Sequence, residues 1–137
     1  QGQRDSGDRH QPDIHPHMHW IAMASGSGNV IFEWNYAWAN CESVVPAGSG
    51  WTTGSITSSV TPSDQYRHQV VDFGPISPPA SVTGSSAMLF FAVQRTVGGN
   101  DTYTTSKDHE TAAANVGILF FDMHYQKKSA GTVTEFV

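Results

Sequence analysis

Val30 to Ala39 read Val-Ile-Phe-Glu-Trp-Asn-Tyr-Ala-Trp-Ala, and this run decides the fold. Side chains on an extended strand alternate between faces. That places Val30, Phe32, Trp34, Tyr36 and Trp38 on one side, with Ile31, Glu33, Asn35, Ala37 and Ala39 on the other. It is the clearest period-2 signal in the chain, and aromatic residues favour a pleated, half-buried surface. The aromatic side is expected to pack against a second sheet, because rings supply large buried area and an open face of that size invites aggregation. The competing use is a sugar-stacking platform built from Trp34 and Trp38, with Trp51 beyond them.

Outward from this strand, a turn composition precedes it, Ser25-Gly26-Ser27-Gly28-Asn29. Before the turn lies a strand over about residues 13–24 that opens Asp13-Ile14-His15-Pro16-His17-Met18-His19-Trp20. A hairpin is the simple reading of the two. His15, His17 and His19 share one face of that strand, and Ile14, Pro16, Met18 and Trp20 share the other. Residues 1–11 carry almost nothing apolar and read as an arm, whose Arg4 and Arg9 are candidates for contact with a neighbouring subunit.

Beyond Ala39, residues 41–61 predict a long loop and one polar strand from about Trp51 to Val60. Tyr66 to Phe73 alternates as a half-exposed strand, stopped by Gly74-Pro75-Ile76-Ser77-Pro78-Pro79 because proline cannot donate to a ladder. Ala87 to Val97 is apolar on both faces at its start, as a central strand would be. Ser106 to Asn115 is the one plausible helical turn, though it lacks an apolar stripe. Val116 to Lys127 predicts the last strand, with Leu119, Phe121, Met123 and Tyr125 opposed to Phe120, Asp122, His124 and Gln126. Residues 129–137 form a tail in which Phe136 is a further contact candidate. Six to eight strands with Gly/Pro-rich connections predict one all-β domain over 12–128, an antiparallel sandwich of jelly-roll type. An immunoglobulin-like sandwich is disfavoured by the lack of a Cys/Trp/Cys spacing.

Composition narrows the function classes. Charged residues are 14% of the 137, against roughly 25% in an average globular chain. The net charge is -5 and the seven Lys and Arg are scattered, so there is no basic footprint for direct nucleic-acid binding. Cys41 is the single cysteine, which excludes an internal disulfide and a cysteine-based zinc site and suits synthesis in a reducing compartment. No apolar run reaches the ~20 residues of a membrane-spanning helix and no leader precedes the first strand, so a soluble chain with no membrane partner is expected. A start at Gln1 rather than methionine is expected from processing or from a true start that lies further upstream.

The histidines admit two chemistries. A His-x-His pair on a strand can present imidazoles to a divalent ion, with His15, His17, His19, His68 and His124 as donors and Asp13, Asp72 or Asp122 as ligand or outer partner. A cupin-like enzyme needs an acidic ligand soon after the pair, yet the next acidic residue after His19 is Glu33. The simpler expectation is that these histidines hydrogen-bond within the sheet or across a subunit contact, with no metal and no other cofactor. If they lined a symmetry axis, protonation near the ordinary imidazole value of about 6.5 would weaken assembly. No G-x-S-x-G elbow occurs, Cys41 has no base nearby in sequence, and the glutamates sit in no glycosidase-like context. No catalytic residue is assigned.

Three motifs carry a resemblance: Asp13-Ile14-His15-Pro16-His17-Met18-His19-Trp20, the Glu33-Trp34 strand after a Gly-Asn turn, and Phe121-Asp122-Met123-His124-Tyr125-Gln126. Together they resemble small structural proteins of tailed bacteriophages, in which an HPHxHW strand and a terminal DFHY strand bracket a β-sandwich. The chain departs in having Met123 where that motif has Phe, and in a longer segment from Thr102 to Asn115. The resemblance implies a non-enzymatic virion component assembled in the host cytoplasm, such as a capsid decoration or a neck or tail attachment. Its implied partners are major capsid, neck or tail proteins and further copies of the chain, with a trimer favoured.

Overall fold

The computed structural model describes residues 13–82, 86–103 and 116–125. Six strands build it: β1 (Ile14–Ala22), β2 (Gly28–Ala39), β3 (Thr52–Val60), β4 (His68–Asp72), β5 (Met88–Arg95) and β6 (Val116–Tyr125). Two antiparallel three-stranded sheets, β4-β1-β6 and β3-β2-β5, face each other as a sandwich. All connections except β2–β3 pass from one layer to the other, and β4 returns beside β1 as in a Greek key. The arm at 1–11, the segment Ser106 to Asn115 and the tail at 129–137 lie outside the described residues.

The inner faces follow the period-2 patterns. Met18, Trp20 and Ala22 of β1 are buried against Val30 and Phe32 of β2, with Val60, Val71, Phe73 and Tyr103 completing the core. Trp20 meets Phe32 edge-on at 5.4 Å between centroids, and each such fully buried apolar side chain contributes about 1.5–3 kcal/mol. Pro16 sits within central β1, where a proline is normally excluded. Its carbonyl accepts from Phe73 N at 3.1 Å, just past the end of β4. A strand residue's N–H and C=O point to the same side, so the proline costs β1 no ladder bond to β6.

Four expectations need correction. β1 and β2 do not form a hairpin: the turn carries the chain across the sandwich, because the two strands bury the faces that meet at Trp20 and Phe32. β5 is an edge strand among the described residues, not a central one, and Met88 is exposed. Beyond Phe32 the aromatic side of β2 is only half-covered: Trp34 still meets the core and Phe73 of the facing layer but keeps partial exposure, as do Tyr36 and Trp38, while Ala37 and Ala39 on the other side are buried. Finally, a bulge opposite His19/Trp20 pairs Trp20 with Ile118 and His19 with Phe120, making Leu119 an extra residue. Strict alternation would have put Ile118 on the outer face; the bulge turns it inward.

The layers are locked at one end by Asp101–Tyr103. Arg95 Nε and Nη2 donate to the Asp101 carboxylate at 2.8 and 2.7 Å, and Nη2 also donates to the Tyr103 carbonyl. Asp101 accepts in addition from Ile31 N, and the Tyr103 hydroxyl donates to Ala24 O at 2.6 Å. Gly28, at φ 149°, brings the β1–β2 turn so close that a Cβ would lie 2.7 Å from the Thr102 backbone.

Candidate functional site

The outer face of the β4-β1-β6 sheet collects the titratable side chains. Alternation alone puts His15, His17 and His19 there, since Pro16, Met18, Trp20 and Ala22 are the buried side of β1. Register then decides their neighbours. Asp72 of β4, His17 of β1 and Asp122 of β6 lie in one row across the sheet, and His15 lies opposite His124.

Within this face His17 Nε2 is 3.5 Å from Asp72 Oδ2, and His124 Nε2 is 2.9 Å from Asp122 Oδ2. His19 Nε2 is 3.5 Å from Asp122 Oδ1, while its Nδ1 meets His68 Nε2 at 2.5 Å in a contact where one nitrogen donates and the other accepts. The ring of His19 lies between those of His68 and Phe120, at centroid distances of 4.8 and 4.0 Å. The hydrogen bond from His124 holds the Asp122 carboxyl below its ordinary value of 3.8; partial desolvation opposes this, and nearby His124, His19 and His17 charge reinforces it. One donor atom from each of His17, Asp122 and His124 falls within 4.8 Å of the others. His15, His19 and His68, the other histidines proposed as ligands from the sequence, are not in that group.

Beside this array, β6 is apolar where it meets solvent. Ile118, Leu119, Phe120, Phe121, Met123 and Tyr125 are all exposed, Tyr125 by 63%. Between the two layers, beside β5 and β6, lies a cleft of about 520 Å³ whose apolar lining includes Met18, Phe32, Phe91, Val93, Ile118 and Phe121. A second, polar groove of about 500 Å³ crosses the outer face of the other sheet, where Gln94 donates to Glu33 at 3.2 Å.

The tryptophans do not form a shared open platform. Trp34 is half-buried and stacks on Tyr36 and Phe91; Trp38 is half-buried near the end of β2. The Trp51 indole donates to the Pro46 carbonyl at 2.6 Å. Arg4, Arg9 and Phe136 lie outside the described residues. Sequence reasoning missed the exposure of β6 and the Arg95–Asp101 pair. The apolar content of Val116 to Met123 signalled a strand and carried no mark of which partner would cover it.

Comparison with protein-family models, curated proteins and solved structures returned no match.

Proposed function

We propose that this chain is a non-enzymatic structural component of a phage virion, a capsid decoration or a neck or tail attachment protein. It works by binding further copies of itself and neighbouring virion proteins. The observation that carries the reading is β6, an edge strand among the described residues, with large apolar side chains exposed along most of its length. Sheet edges are ordinarily blunted by charge, proline or shortness, because an apolar edge templates association. The edge strand of the opposite layer is different in character: β3 is Thr- and Ser-rich. A second copy laid along β6 would pair its open backbone groups and cover Leu119, Phe120 and Tyr125, with the adjoining cleft receiving apolar side chains.

The virion setting rests on the resemblance of the strand motifs around His15–Trp20 and Phe121–Tyr125. Repetition of one modest contact by symmetry supplies avidity without high affinity at any single copy. The experiment is sedimentation velocity of the full chain at micromolar concentration. A trimer is expected, and the double variant Leu119→Lys/Phe120→Lys is expected to sediment as a monomer with its β-sheet circular dichroism retained. A wild-type chain that stays monomeric while binding a defined sugar on a glycan array would replace this reading with a carbohydrate-binding module.

A further inference from the structure

We propose that His17, Asp122 and His124 form a binding site for a divalent first-row transition ion of the zinc class on the outer face of the β4-β1-β6 sheet. The ligand set is two imidazoles and one carboxylate from adjacent strands, which leaves coordination positions open to water or to a donor from another molecule.

Three observations converge. The donor atoms already lie within 4.8 Å of one another; bonds of about 2.0–2.2 Å to a common ion would bring them to about 3.4 Å. The His124 side chain, 67% exposed, has room to make that adjustment. Next, His17 Nδ1 is shielded from solvent with no hydrogen-bond partner among the described residues, and Asp122 Oδ1, equally shielded, has only the His19 Nε2 contact at 3.5 Å. Leaving a buried polar atom unpaired costs about 1–3 kcal/mol, and a cation held by these residues offsets that cost. Last, His17 Nε2 faces Asp72. A carboxylate on one ring nitrogen keeps the proton there and leaves the other nitrogen as the lone-pair donor, the usual outer support of a metal-bound histidine. Asp72 is therefore a positioning residue for His17, whose ring supplies one ligand nitrogen.

The nearest competing arrangement is the His19–His68 pair, whose nitrogens approach to 2.5 Å. Calorimetric titration of the tag-free, chelator-stripped full chain with ZnCl2 separates the two. One saturable zinc per chain is expected. Asp122→Asn and His124→Ala should each weaken binding by roughly tenfold or more, because losing even an outer-shell partner costs 10–100-fold. Both residues keep solvent exposure, and unchanged circular dichroism would show that their variants fold. His68→Ala should bind as the parent does. With CoCl2, the wild type should develop visible absorption bands that Asp122→Asn loses. The proposal is overturned by the absence of saturable one-to-one binding at micromolar zinc. It is equally overturned if Asp122→Asn and His124→Ala bind as tightly as wild type, or if His68→Ala is the variant that fails.

Discussion

At the residue scale, two carboxylates govern the molecule for different reasons. Asp101 is fully enclosed and holds the Arg95 guanidinium by two hydrogen bonds, with side-chain exposures of 1% and 9%. Removing one partner of such a pair leaves a desolvated charge, so Asp101→Ala should destabilise the fold by about 3–5 kcal/mol in urea denaturation. Asp122 sits at the surface among imidazoles, and its carboxyl titrates below 3.8 in the folded chain. A carboxyl lowered by folding contributes stability that is complete above its unfolded value and is lost as pH falls through the folded one. Stability of the wild type should therefore decline as pH drops below about 3.8, and Asp122→Asn should show a flatter decline, read from denaturation midpoints across that acid range. The shared face of His15, His17 and His19 was legible in the sequence, because strand alternation is a local property. That Asp72 and Asp122 flank His17 was not legible, since register between strands about fifty and a hundred residues away sets it.

At the element scale, β2 shows how a strand reads correctly in one half and differently in the other. Val30 and Phe32 occupy the core as their period demands, while Trp34 turns its ring over Gly54 of β3. A Cβ at Gly54 would lie 2.4 Å from Trp34 Cζ2. Gly54→Ala must push that ring off Tyr36 and Phe91, and an overpacking cost of about 1–3 kcal/mol is expected in thermal unfolding. The β6 bulge is the second case. One unpaired residue, Leu119, moves Ile118 to the cleft, while Phe120 stays on the histidine face where alternation puts it. A bulge depends on the partner strand, and no residue in Val116 to Tyr125 announces it.

At the scale of the whole molecule, the sandwich leaves its two layers unequal. One presents a polar groove and a Ser/Thr edge; the other presents the histidine and aspartate face and ends in the apolar strand β6. The metal-ligand candidates and the proposed assembly edge thus share β6, and an ion bound at Asp122 and His124 would stiffen the strand that a second copy must recognise. The lysine variants at Leu119 and Phe120 and the zinc titration probe these two properties separately. The amino-acid sequence by itself determined the strands, the inward side of β1, the all-β class and the co-facial histidines, because each follows from alternation and turn chemistry over a few neighbouring residues. Only the tertiary structure decided that β1 and β2 lie in different layers, that Arg95 is paired with the enclosed Asp101, and that β6 is the exposed edge of its sheet among the described residues. Those outcomes depend on which distant surfaces bury most apolar area against each other, a competition settled across the whole chain at once.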